Sequence, residues 1–283
     1  MPLPSILGVF GHPDDESLLA GGVLAQHAAA GASTAVVTAT WAPDSHRAGE
    51  LADALAILGA GEPRMLGFAD ARIPDSAPGR PRLCDAPIDE IVRLIVGHIR
   101  TMRPEILITH DAYGQLTGHL DHARTHQATV LAFHAAGLEH LHPEAGAPWQ
   151  PKALYTATHP HAGVGELGPL LAQVGKKTLS VPDELVTATL DVSGQLEEKW
   201  AAILAHRSEA ARQRSLPGIL ARLPTEVRES ITGTEHYIRL CAQPSKRPER
   251  SHHLLRISGC RRVVTIHDPC GMPVVCVIRR VGA

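Results

Sequence analysis

Short apolar runs alternate with longer helical patterns through the amino-terminal half of the chain, and this alternation limits the folds open to it. β-Strands are predicted at residues 6–10, 34–38, 65–66, 106–109 and 153–157, where apolar or β-branched residues dominate. Helices are predicted at residues 16–30, 47–58, 88–102 and 121–136 from the spacing of apolar residues. This order favours an α/β fold, in which helices cover both faces of a mostly parallel sheet.

A Rossmann-like sheet of this kind binds ligands beyond the carboxyl ends of its strands. A functional site is therefore expected just after Phe10, Thr38, Gly67 and Thr109. Two of these four positions are followed by runs of histidine and aspartate.

The carboxyl-terminal half carries weaker patterns. An edge strand is predicted at residues 186–192, and helices are predicted at 195–207, 218–223 and 226–231. Beyond a polar stretch at 243–250, two apolar runs at 263–266 and 274–278 predict a hairpin. We therefore expect a main domain over residues 1–240 and an extension of unknown role over residues 241–283.

The composition argues against several classes of function. The 283 residues carry a formal net charge of −2 and only 3% aromatic residues, which argues against nucleic acid as a partner. No apolar run approaches the ~18–20 residues of a membrane span, so no membrane association is expected. The five cysteines lack framework spacing and the amino terminus lacks a basic signal region, which favours a cytoplasmic location. The sequence leaves homo-oligomer formation open.

The first polar cluster, residues 11–16, directly follows the first predicted strand. Acidic residues in the first turn of a helix complement its dipole, so capping alone explains two of the carboxylates among Asp14, Asp15 and Glu16. Capping does not explain His12, and three crowded acids repel one another unless a cation lies nearby. One imidazole and one carboxylate from such a turn are suitable zinc ligands. A metal site and a plain helix cap both stay open at this point.

The second cluster, residues 110–122, follows the fourth predicted strand. His119 and His122 are three residues apart and project from one side of a helix start, and Asp121 is placed to orient an imidazole. A solvated, histidine-rich loop would give the same pattern. In a parallel sheet both clusters fall on one edge, so ligands from the two can converge. Three protein ligands plus water form a catalytic zinc site.

The two clusters together resemble the LmbE/PIG-L superfamily of zinc-dependent de-N-acetylases. The resemblance rests on His12-Pro13-Asp14-Asp15-Glu16 and Gly118-His119-Leu120-Asp121-His122. Weaker similarity to actinobacterial mycothiol-pathway members extends over roughly residues 4–240, through the segments 47–55, 75–76, 148–151 and 199–208. By this resemblance residues 1–240 form a deacetylase domain.

The resemblance implies a role for each residue of the two motifs. The residues that hold Zn²⁺ are His12, Asp15 and His122. Asp14 is the general base that takes a proton from the attacking water. His119 stabilises the oxyanion as an imidazolium, with Asp121 orienting it.

The resemblance also implies that Arg47 and Asp75 bind the hydroxyls of an N-acetylglucosamine-type sugar. That sugar belongs to a small conjugate, either a thiol-cofactor precursor or an antibiotic. The family usually has proline at the position of Leu120. Mycothiol-pathway members have tyrosine at the position of Thr117, in a loop about one residue shorter, and Tyr113 is a candidate replacement. These departures favour a specialised-metabolite sugar.

Two other functions stay open from the sequence. A conjugate amidase of the same family would use the same residues, and a non-catalytic Rossmann-like binding module would keep only the fold. The intact His and Asp constellation favours an enzyme. The chain contains neither Gly-x-Gly-x-x-Gly nor Gly-x-Ser-x-Gly, so dinucleotide binding and serine hydrolysis are not expected.

Overall fold

The computed structural model of the chain describes residues 3–242 and the backbone of residues 263–267 and 273–277. The chain forms two compact units, Met1–Gln243 and Pro244–Ala283.

The first unit is built on a seven-stranded sheet. Its strands are β1 (Ile6–Phe10), β2 (Thr34–Thr40), β3 (Arg64–Phe68), β4 (Ile106–His110), β5 (Ala153–Thr158), β6 (Ala188–Asp191) and β7 (Thr234–Ala242). The parallel strands lie in the order β3-β2-β1-β4-β5. Strand β7 joins β5 to the edge strand β6 with antiparallel pairing on both sides. The predicted α/β fold with a mostly parallel sheet is confirmed.

Helices connect these strands and cover the sheet. They are α1 (Asp15–Ala29), α2 (His46–Leu58), α3 (Ile88–Met102), α4 (Leu120–Ala135), α5 (Leu167–Gln173), α6 (Leu196–Ala205), α7 (Arg207–Ala211), α8 (Leu216–Leu220) and α9 (Thr225–Thr232). Helix α3 has the predicted bounds. Within the described ranges, none of these helices combines the length and apolar character that crossing a membrane requires.

Each face of the sheet packs against its own layer of helices. In β1, Leu7 and Val9 belong to the apolar cluster completed by α3 and α4, whereas Ile6 and Phe10 belong to the cluster of α1, α2 and α6. All residues of β1 are buried. A parallel strand buried on both faces is apolar throughout instead of alternating, which is why a short apolar run predicts it.

The order of the sheet reverses between β1 and β4. The chain leaving β1 continues to β2 on one side, and the chain leaving β4 continues to β5 on the other. Connections that diverge in this way open a crevice at the carboxyl ends of the two strands. The segments that begin at Gly11 and Asp111 leave the sheet at this crevice, so both predicted polar clusters meet there.

Two elements differ from the sequence prediction because contacts with other parts of the fold determine their conformation. The helix predicted over 195–207 is divided at His206, whose φ of −76° and ψ of 64° are not helical. Strand β7 was not predicted. Within it Glu235 is buried and lies 2.8 Å from the buried Lys199 Nζ, so a charged residue occupies an inward position and hides the strand pattern.

The second unit contains β8 (Val263–His267) and β9 (Pro273–Val277), which pair in antiparallel fashion. The residues between them lie outside the described part of the chain.

We propose that the first unit folds without the second. Ending the chain after Ala242, the last residue of β7, is expected to shift the thermal midpoint by less than about 3 °C, because the sheet is then complete. Ending the chain after Leu240 removes the strand pairs of Cys241 with Leu154 and of Ala242 with Ala153, so the thermal midpoint is expected to fall further. Thermal unfolding followed by circular dichroism compares the two. Insolubility of the chain that ends at Ala242 would contradict the proposal.

Candidate active site

Three side chains predicted to hold a metal converge at the crevice between β1 and β4. The His12 Nδ1 and His122 Nε2 atoms lie 3.0 Å apart, and each lies 3.3 Å from Asp15 Oδ2. Ligand atoms around a tetrahedral zinc ion, with bonds of ~2.0–2.2 Å, lie about 3.3 Å from one another. The donor set therefore fits a small tetrahedral cation in both chemistry and spacing.

The surroundings of His12 leave one ring nitrogen for a cation. Its Nε2 lies 3.1 Å from Asp121 Oδ2 and 3.3 Å from Asp70 Oδ2, so this nitrogen donates to carboxylates and Nδ1 faces the other donors. Burial lowers the pKa of His12, but the carboxylates of Asp121 and Asp15 outweigh burial and raise it to about 10. The same carboxylates attract a metal cation to this ring, although that cation must first displace the proton on Nδ1. Carboxylates on the far nitrogen are the usual support of a metal-binding histidine.

His110 lies beside the three donors, and its ring packs against His122. Its Nε2 accepts the Gly11 N–H at 2.8 Å, and its ring stacks on His122 with centroids 4.0 Å apart. Burial and the neighbouring His122 lower the pKa of His110 to about 3. This ring supports His122 and already uses its Nε2 lone pair, although Asp15, His110 and His122 also form a group whose atoms are close enough to hold a metal ion.

Asp14 is placed as a base beside the donor set. It is the residue before α1, yet its carboxylate makes no capping bond to the helix, and its backbone is strained at a φ of 128°. The Glu16 carboxylate accepts the Asp14 N–H at 3.0 Å and so holds this conformation. Burial raises the pKa of Asp14 to about 7, against the opposing charge of Arg47. Asp14 therefore does not act as a side-chain cap of α1.

His119 faces the same cavity from the start of α4. Its Nδ1 accepts the Asp121 N–H at 3.3 Å, which leaves the ring proton of the neutral form on Nε2. Burial and the charge of His12 lower the pKa of His119 to about 2, which favours the neutral ring over the predicted imidazolium. Asp121 also differs from the prediction, since its carboxylate lies 3.8 Å from His119 but 3.1 Å from His12. Asp121 orients the ligand His12.

The two predicted substrate-binding residues have different positions. Arg47 lines the cavity, where its guanidinium lies 3.3 Å from Asp14 Oδ1 and 3.1 Å from Glu209 Oε1 and also contacts the Pro13 carbonyl. Asp75 is exposed and does not line the cavity. The inward carboxylate from this region is Asp70, which follows β3 at the same edge of the sheet.

These residues form the floor of a cavity of about 340 Å³. One wall is apolar and consists of Leu18, Leu19, Ile73, Leu116, Leu171, Leu216 and Pro217. Thr117 lines the cavity. Tyr113 is 60% exposed and does not line it, so it does not replace the missing tyrosine.

Sequence reasoning missed two residues that line this cavity, His159 and Glu209. His159 follows β5 directly, and a histidine just after a strand at the ligand-binding edge was the signal for it; burial lowers its pKa to about 4. Glu209 was missed because it pairs with Arg47 across 162 positions of sequence. His206 is not among the residues that line the cavity; its buried Nε2 lies 2.7 Å from Glu16 Oε1, in a contact that spans 190 positions of sequence.

Comparison with known proteins agrees with this geometry. The profile of a family described as PIG-L, GlcNAc-PI de-N-acetylase, matches residues 7–133, which include all three donors. The 1D-myo-inositol 2-acetamido-2-deoxy-alpha-D-glucopyranoside deacetylase of Rhodococcus opacus is 35% identical over 268 residues, covering 82% of this chain and 90% of the relative.

Solved structures show the same fold. A conserved protein of Thermus thermophilus matches with a TM-score of 0.60 and 22% identity, over 88% of this chain and 100% of its own. The N,N'-diacetylchitobiose deacetylase of Pyrococcus horikoshii matches with a TM-score of 0.58 and 14% identity, over 84% of each chain. Given the identity to the Rhodococcus protein over most of both chains, this chain belongs to the PIG-L family.

Proposed function

We propose that this chain is a metal-dependent hydrolase that removes the acetyl group from an N-acetylglucosamine-type sugar of a small conjugate. One observation carries the proposal: three converging metal donors lie beside a second carboxylate, Asp14, which is not a donor and whose pKa is raised to about 7. A binding module has no need of such a base. The Rhodococcus relative, named as a deacetylase of a glucosaminyl inositol, supports the substrate class.

We propose zinc as the cation and His12, Asp15 and His122 as its ligands. Two imidazoles and one carboxylate suit zinc and leave a fourth position for water. A zinc ion held there lowers the pKa of bound water toward ~7 and polarises the amide carbonyl.

The protein groups around this position divide the proton transfers. Asp14, ionised, accepts a proton from the attacking water at its carboxylate and later delivers it to the departing amine. His119 donates from Nε2 to the carbonyl oxygen as negative charge develops there, and a neutral imidazole is sufficient for that hydrogen bond. Arg47 keeps the Asp14 carboxylate in place, and we still propose that it binds the sugar. Asp70 lines the cavity where Asp75 was expected, so Asp70 takes over the proposed sugar-binding role of Asp75.

Removing the metal is expected to abolish acetate release from N-acetylated glucosaminides, because all three donors serve one cation. Adding back one equivalent of zinc should restore the rate. Metal analysis of the same samples should give about one zinc per chain in the active protein.

A panel of glucosaminides, scored for free acetate and free amine, tests the substrate class in the same experiment. Full activity of metal-free protein would overturn the metal dependence. Cleavage of amides other than the N-acetyl group would point to a conjugate amidase. Zinc binding without turnover of any compound would point to a non-catalytic binding module.

A further inference from the structure

The mouth of the cavity carries cations that the proposed reaction does not use. Arg72, Lys176 and Arg212 line it together with the catalytic residues. Arg212 Nη1 lies 2.7 Å from Glu209 Oε1. Across residues 3–242, no acceptor lies within hydrogen-bonding or ion-pairing distance of the side chains of Arg72 and Lys176.

The carboxylates of the cavity are already engaged. Asp14 and Glu209 both contact Arg47, at 3.3 and 3.1 Å. Asp15 lies among the histidine rings. Asp70 Oδ1 accepts two backbone N–H groups, and its Oδ2 faces His12 at 3.3 Å. None of them lies within ion-pairing distance of Arg72 or Lys176, although the charge of Glu209 acts on Lys176 from farther away, so these two cations have no direct partner among the described residues.

Lys176 is held at this mouth by the fold. The segment that carries it is fixed where the Leu179 N–H donates to the Leu116 carbonyl at 2.7 Å. Burial, together with the charges of Arg72 and Arg212, lowers the pKa of Lys176. Cations kept close together in a partly dry cavity repel one another until an anion joins them.

We propose that Arg72 and Lys176 bind an anionic group of the substrate, a carboxylate or a phosphate, so that the enzyme selects charged N-acetylglucosamine conjugates over neutral ones. This inference rests on the proposed function. The planar guanidinium of Arg72 suits two oxygens of one anion, and the Lys176 ammonium adds a point charge. Arg72 and Lys176 line the same cavity of about 340 Å³ as His12 and Asp15, so a single bound ligand can contact both groups.

Two matched substrate pairs test the proposal on the zinc-loaded full chain. One pair is the N-acetylglucosaminide of glycolic acid and that of glycolamide, and the other is N-acetylglucosamine 6-phosphate and N-acetylglucosamine. In at least one pair the anion is expected to have a kcat/KM about 10–100-fold higher than its neutral partner. The ratio should fall as the salt concentration rises, since Arg72 is exposed.

Variants locate the effect. Arg72→Gln and Lys176→Gln are each expected to lower the ratio of anionic to neutral kcat/KM about tenfold. The control is Lys177→Gln, which removes the same charge from the exposed neighbouring residue outside the cavity and should keep the ratio.

The outcomes separate this inference from the proposed function. Equal kcat/KM values within both pairs would overturn the inference and leave the deacetylase standing. Release of acetate from none of the four compounds would count against the proposed function. In that case calorimetric titration of the same pairs tests the inference. At least tenfold tighter binding of the anionic compound in one pair would support it, and equal binding within both pairs would overturn it.

Discussion

Replacement of Asp14 by asparagine is expected to leave the metal bound and to lower kcat by about 10²–10⁴-fold. The Asp14 carboxylate lies outside the three-donor set and contacts Arg47 at 3.3 Å, so its charge is not needed to hold the cation. An amide cannot take up the proton that the reaction releases. Zinc per chain and kcat, measured on one preparation, check both halves of the expectation.

The pH dependence gives a second reading of the same variant. The base must be ionised, and burial raises the pKa of Asp14 to about 7, so the wild-type rate should fall as the pH drops through about 7. This limb should disappear in Asp14→Asn. The matched control is Asp89→Asn on α3, whose side chain is 86% exposed and which should behave as wild type. Loss of zinc from Asp14→Asn would refute its assignment as the base.

Replacement of Asp15 by asparagine is expected to weaken zinc binding by at least about 100-fold and to abolish turnover at stoichiometric zinc. Asp15 Oδ2 lies 3.3 Å from both proposed ligand nitrogens. Burial raises the pKa of the Asp15 carboxyl, but its interactions with the surrounding histidines outweigh burial and keep that pKa well below its usual range. Excess zinc should restore part of the rate, because Asp14 and His119 remain in place.

The asparagine variant also separates metal loss from misfolding. Asp15 Oδ2 accepts the His12 N–H at 2.7 Å, and an amide oxygen can make the same bond, whereas alanine cannot. Asp15→Asn should therefore keep the far-ultraviolet circular dichroism of the wild type, with Asp15→Ala as the comparison that loses the turn as well. If Asp15→Asn binds zinc normally while Asp14→Asn loses it, the two roles are exchanged.

The fold was predictable where the chain is buried on both sides. Strand β1 and helix α3 have the bounds that their apolar patterns indicate, because burial in a parallel sheet and a single apolar helix face leave a local signature. Strand β7 has no such signature. Its inward position is filled by Glu235, which is acceptable only because Lys199 lies 36 positions away in sequence and 2.8 Å away in space.

The site was predictable in its residues but not in their partners. The rule for strand ends brings His12 and His122 to one crevice, and the structure places them there. Spacing alone does not show that Asp121 turns toward His12, or that Asp70 faces inward while Asp75 faces solvent. Those choices depend on loops whose course is set by contacts with other elements, such as the bond from the Ala71 N–H to Asp121 Oδ2.

The donors His12 and His122 are separated by 110 positions in the chain and meet only when β1 and β4 lie side by side. A nascent or unfolded chain therefore offers no complete set of the proposed ligands, so zinc bound as proposed would be a selective ligand of the native state. At a free zinc concentration 100 times the dissociation constant, this linkage adds about 2.7 kcal/mol to the free energy of unfolding. If zinc is the cation, as proposed, the zinc supply would then affect how resistant the folded chain is to proteolysis as well as how fast it turns over.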